Sequence, residues 1–142
     1  MEYRRTEKAL LLRLEDGEDI VDCLRSVCRK EKIESALVSG IGACRSAEIA
    51  HYNTKEKKYT IRKLEGMLEI VSLSGNIAVL DDKAAAHLHI IIGMHDFSTL
   101  SGHLMKTDIY PTCEIVVIPL DTKVERKFDA KTGLNLQRLG QG

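Results

Sequence analysis

The residues best suited to chemistry lie in Ala86-His87-Leu88-His89-Ile90-Ile91-Ile92, followed after a loop by Ser101-Gly102-His103-Leu104. In a strand, side chains at i and i+2 share a face about 6.6 Å apart. His87 and His89 therefore point one way while Leu88, Ile90 and Ile92 point the other. Two imidazoles at that spacing can converge on one ion at about 2.0–2.1 Å each, and a third histidine from a neighbouring strand would complete a three-nitrogen face. Three protein ligands and an open position is how catalytic zinc is held, whereas closed four-ligand sites are structural. Four of the five histidines fall within the seventeen residues from 87 to 103, three of them in the two strand-like segments, and Gly93 to Leu100 is able to join adjacent strands. The competing reading, a strand histidine bonded to a backbone carbonyl, is the commoner fate of this residue type. His95, in the intervening loop, and His51 are weaker ligand candidates.

Glu69 is an acid inside the apolar run Met67-Leu68-Glu69-Ile70-Val71. A carboxylate there could act as general acid or base beside a metal site, and the simpler reading is an exposed or ion-paired glutamate on a solvent face. Cys23, Cys28, Cys44 and Cys113 form no Cys-x-x-Cys pair, so they read as buried reduced thiols, with neither a thiolate zinc site nor a redox motif. Ser39-Gly40-Ile41-Gly42 lacks the third glycine and the following helix of a dinucleotide loop, and reads as a turn needing positive φ. There is no nucleophile elbow and no Walker loop.

The elements that must position these groups are legible from period. Ala9 to Leu14 is a short apolar run broken by Asp16-Gly17. Ile20, Leu24, Val27 and Cys28 then form one stripe of a helix over about residues 17–31, with Asp16 as its cap. Acids crowd its first turns and Arg29, Lys30 and Lys32 its last, as the helix dipole favours. Beyond it, short β-rich segments follow one another: 35–39, 47–53, 58–64, 67–73, 86–92, 114–120 and 124–128. Ser39-Gly40-Ile41-Gly42, Ser74-Gly75-Asn76 and Asp81-Asp82 read as turns between them. The tail, with Leu134 and Leu136 after a Gly133 turn, lies against the body.

The chain has 142 residues, 44% hydrophobic and 30% charged, the composition of a single globular domain spanning 1–142. Twenty-one Lys and Arg balance twenty-one Asp and Glu, which argues against general electrostatic capture of nucleic acid or acidic membranes. The basic clusters Arg4-Arg5 and Lys55-Glu56-Lys57-Lys58 are interrupted or flanked by acids and read as solvated. No apolar run approaches the roughly 20 residues of a membrane span, and the N-terminus has no signal-peptide pattern, so a soluble cytoplasmic protein is expected.

The order Ser39-Gly40-Ile41-Gly42-Ala43, Glu69-Ile70-Val71-Ser72-Leu73-Ser74-Gly75-Asn76, His87-Leu88-His89 and Gly102-His103-Leu104 resembles the plants and prokaryotes conserved (PPC) domain family. Ser101 departs from it, standing where many members have a second glycine. The resemblance implies an α+β fold, a mostly antiparallel, partly open, barrel-like sheet with one main helix, assembled as a homotrimer. It further implies a metal site at His87, His89 and His103, with zinc as the ion, and a fold similar to that of acetolactate decarboxylases, whose zinc is also held by three histidines. Small carbonyl or ester compounds are the substrates such a site would suit, with Glu69 as proton carrier. Plant members join the domain to an AT-hook that enters the DNA minor groove, and many prokaryotic members carry a DNA-binding label. This sequence contains no Arg-Gly-Arg-Pro segment, so a DNA-associated regulator is the alternative, and a purely structural assembly module the second.

Overall fold

The computed structural model describes residues Met1–Gly140. The helical stripe forms as its period requires: α1 spans Ile20–Glu31 and buries Ile20, Leu24, Val27 and Cys28. Each large aliphatic side chain removed from water there contributes about 1.5–3 kcal/mol. The helix starts three residues later than expected, because its cap is Asp19 rather than Asp16. Asp19 Oδ1 accepts the Asp22 amide at 2.9 Å, while Oδ2 accepts the Thr107 amide at 2.7 Å and its hydroxyl at 3.3 Å. Thr107 Oγ1 accepts the Ile20 amide at 3.0 Å. A carboxylate tied at once to the helix and to a strand has more bonds to offer than Asp16, which pairs with Arg45. Asp19→Ala is therefore expected to lower stability by about 2–3 kcal/mol, since buried Thr107 loses its acceptor too. A urea midpoint within about 0.5 kcal/mol of wild type would contradict this coupling.

The strands are β1 (Glu2–Arg5), β2 (Leu10–Leu14), β3 (Ala36–Asn53), β4 (Lys58–Leu80), β5 (Lys83–Gly93), β6 (Thr99–Pro119), β7 (Glu125–Asp129) and β8 (Leu134–Arg138). Hydrogen bonding runs β1-β2-β6-β3-β4-β7-β8, with β5 bridging β4 and β6. Every pairing is antiparallel except the single β4–β7 bridge. Strands β3, β4, β5 and β6 thus close a partial ring, and the architecture is an α+β sheet with one helix rather than a true barrel. Bulges at Gly40/Gly42 and Cys44/Ser46 bend β3 around it.

Two expected turns are strand interiors instead. Ser39-Gly40-Ile41-Gly42 lies within β3, and Ser74-Gly75-Asn76 lies within β4. The glycines serve close approach: a Cβ on Gly40 would come to 2.8 Å from the Glu114 carbonyl oxygen, and one on Gly75 would overlap the His87 carbonyl oxygen. The Asp81-Asp82 turn is present, with φ of 49° and 58°, the geometry of a two-residue hairpin joining β4 to β5.

Leu88, Ile90 and Ile92 of β5 face inward with Leu73, Ile77, Ile115 and Val117, and α1 packs on β5 and β6 over this surface. All four cysteines are free; Cys28, Cys44 and Cys113 are buried and Cys23 is half-buried. Burial pushes the thiols up, to about 11 for Cys23, Cys28 and Cys44 and about 12 for Cys113, which keeps them protonated and unreactive. No helix among the described residues is long and apolar enough to cross a membrane.

Candidate metal centre

Because inward Leu88 and Ile90 alternate with His87 and His89, burial of the aliphatic face turns both imidazoles to the opposite side of β5. The ladder supplies the third: His103 on β6 sits directly opposite His89. Cross-strand partners of this kind bring their Cβ atoms to about 4.5–5.5 Å. Ring centroids are 5.3 Å apart for His87–His89, 5.1 Å for His87–His103 and 5.6 Å for His89–His103. One nitrogen of each ring lies within 4.8 Å of the other two. Tetrahedral nitrogens at about 2.1 Å from an ion are roughly 3.4 Å apart, so small side-chain rotations bring these to bonding distance. The set fits a borderline divalent ion with an open position.

The electrostatics keep His87 and His103 in the metal-binding form. Burial, then the Arg126 guanidinium and the neighbouring imidazoles, push His87 down to about 4 from 6.5. Burial, then His89 and Arg126, lower His103 as well. A neutral imidazole is what coordinates a cation. Stability of the metal-free chain follows the same shift. The unfolded chain protonates His87 near pH 6.5 while the folded chain resists to about 4, so its contribution is full above 6.5 and lost as pH falls from 6.5 to 4. The urea midpoint of chelator-treated protein is expected to drop between pH 7.5 and 5, by less in His87→Gln. Equal drops in the two proteins would contradict the assignment to His87.

The three histidines open onto a cavity of about 960 Å³. His51 and Tyr59 reach its wall, and the Tyr59 ring lies 5.7 Å from His103. His95 is exposed in the β5–β6 turn, away from the cluster. Glu69 is exposed and pairs with Gly93, four residues along β5 from His89, about 13 Å away, and it is not part of the cavity wall. The structure does not bring it to the histidines.

Sequence reasoning missed Arg126, from β7. Its Nη2 donates to Asn76 Oδ1 at 2.6 Å and lies 3.4 Å from His87 Nδ1, and its Nη1 donates to the Asn135 carbonyl at 3.1 Å. Nothing in Glu125-Arg126-Lys127-Phe128 distinguishes this arginine from its charged neighbours, because its placement depends on one parallel bridge, Val79 to Glu125. Ser74-Gly75-Asn76 has the composition of a turn, which hides Asn76 as the partner of Arg126.

An α+β sheet that gathers three histidines from paired strands at the mouth of a cavity defines a candidate metal-binding protein. Comparison with known proteins gives the class its name: residues 1–121 match the Plants and Prokaryotes Conserved (PCC) domain, and the chain belongs to that family. It is similar to a metal-containing protein of Archaeoglobus fulgidus, 38% identical, covering 97% of each chain at a TM-score of 0.88. It is also similar to a candidate DNA-binding protein of Bacteroides thetaiotaomicron, 28% identical, with 96% of each chain covered and a TM-score of 0.93. The α-acetolactate decarboxylase of Bacillus subtilis shares the fold alone, at 8% identity and a TM-score of 0.56 over 78% of this chain and 51% of that one. No protein of curated function matches.

Proposed function

We propose that this is a metal-binding, homotrimeric protein in which His87, His89 and His103 hold a first-row divalent ion, zinc foremost, facing a cavity that admits a small carbonyl or ester compound. The observation that carries the reading is the convergence of three imidazoles from two paired strands within 4.8 Å. The metal-containing Archaeoglobus fulgidus neighbour supports it. A bound zinc would supply Lewis acidity toward a carbonyl oxygen. The chain's own residues position the ligands: Leu88 and Ile90 anchor β5 in the core, Tyr59 packs beside His103, and Arg126 and Asn76 brace His87. Glu69 stands outside the wall that one chain builds around this cavity.

Self-association is supported by the outer face of β2, β3 and β6, where exposed Leu11 pairs with exposed Val116 and exposed Leu37 with exposed Ile118. Contiguous apolar surface of this kind marks an interface. The test is plasma mass spectrometry of untagged wild-type protein together with its mass by light scattering. About one first-row ion per chain and three times 15.9 kDa are expected. A metal-free protein would overturn the first part and a monomer the second.

The name of the Bacteroides thetaiotaomicron neighbour favours a second reading, DNA association through surface Lys and Arg. Phosphate contacts would make duplex affinity fall steeply between about 50 and 200 mM salt, as counterions are released. Duplex binding no tighter than millimolar at low salt removes this reading. The purely structural module predicts the same trimer with no metal.

A further inference from the structure

Among the described residues, the cavity around the histidines has no negatively charged side chain in its wall. Arg126 is part of its wall and, among the described residues, no aspartate or glutamate is, although the chain has twenty-one acids. The guanidinium is partly buried and its bonds go only to neutral groups, the Asn76 side chain, the Asn135 carbonyl and the edge of His87. Its Nε is buried with no partner among the described residues. A desolvated cation with neutral partners is costly unless a counter-charge arrives. A divalent ion on three neutral imidazoles would add two positive charges a few ångströms away, again with no carboxylate among the described residues of the wall to offset them.

From this imbalance we infer that the cavity binds a small organic carboxylate, its charged end held by Arg126 and turned toward the metal, its apolar body against Ala85, Ala86, Leu134 and Leu136. The second of these contacts rests on the metal reading above, whereas the contact with Arg126 does not. The apolar part of the wall suits a ligand with a hydrocarbon body. A carboxylate is favoured over phosphate because the cavity has one guanidinium, no lysine and no helix N-terminus; phosphate sites gather several cations or a row of backbone amides.

The test is titration of cobalt-loaded protein, at constant ionic strength, with propionate and with its neutral counterpart propionamide, read by visible absorption. Propionate is expected to bind about tenfold or more tightly than propionamide, and Arg126→Gln, compared with wild type at equal cobalt occupancy, to weaken propionate about 10- to 100-fold. Arg126→Lys, which keeps the charge but not the planar fork, should fall between. Three results would overturn the inference: equal affinity for the two ligands in wild type, undiminished propionate affinity in Arg126→Gln, or inorganic phosphate binding more tightly than propionate. The wild-type ratio stands by itself if Arg126→Gln disturbs the β7–β8 hairpin. Should the chain take up no cobalt, the metal reading fails, and calorimetry on the metal-free chain then decides this one. A propionate preference abolished by Arg126→Gln sustains the arginine contact, and no preference overturns it.

Discussion

His87→Ala/His89→Ala is expected to abolish metal binding, from about one ion per chain to none, while the chain still folds. Two of three ligands go, and the remaining imidazole cannot hold a divalent ion against water. The fold should survive because both side chains lie on the outward face of β5, with His89 exposed, while the core is made by Leu88, Ile90 and Ile92. The effect is measurable in two independent ways. Metal analysis gives the stoichiometry directly. Thermal unfolding gives the linkage: an ion at a hundredfold excess over its Kd stabilises the native state by about 2.7 kcal/mol, roughly 8 °C for a chain of this size. Wild type should show that shift on adding zinc and the variant none. Unchanged metal stoichiometry in the double variant would refute the ligand assignment, whatever happened to its stability.

Gly75→Ala is expected to damage the same site without touching a ligand. Gly75 sits between Val38 of β3 and Leu88 of β5 in the ladder, and the added Cβ would come to 2.0 Å from the His87 carbonyl oxygen. That atom is backbone, so no rotamer change relieves the overlap. The strands must part where Asn76 meets His87. Overpacking of this kind costs about 3 kcal/mol or more, and the displacement of His87 should lower metal affinity in the same protein. Ser72→Ala, on the same strand, should change stability by less than about 0.5 kcal/mol. A Gly75→Ala protein with wild-type stability and wild-type metal content would show that β4 and β5 do not pack this closely at His87.

The stripe Ile20, Leu24, Val27 and Cys28 was readable because a helix repeats every 3.6 residues, and each of its members is buried. The shared face of His87 and His89 was readable for the same kind of reason, the two-residue period of a strand. Both Asp16 and Asp19 suit the cap locally, and only Thr107, far along the chain, selects Asp19. The strands were cut too short at Gly40–Gly42 and Gly75, since a glycine that opens a turn and one that lets two backbones meet look alike in one dimension.

The features legible in the sequence are therefore local: the helix and its buried face, the β-rich remainder, the turn at Asp81-Asp82, and the common direction of His87 and His89. Tertiary structure alone decided that His103 stands opposite His89, that Glu69 lies outside the cavity and that Arg126 enters it. The physical reason is that side-chain periodicity is set by backbone geometry within one segment. Register and neighbour choice are set by the burial and hydrogen bonding of segments brought together from distant parts of the chain, energies that no local spacing records.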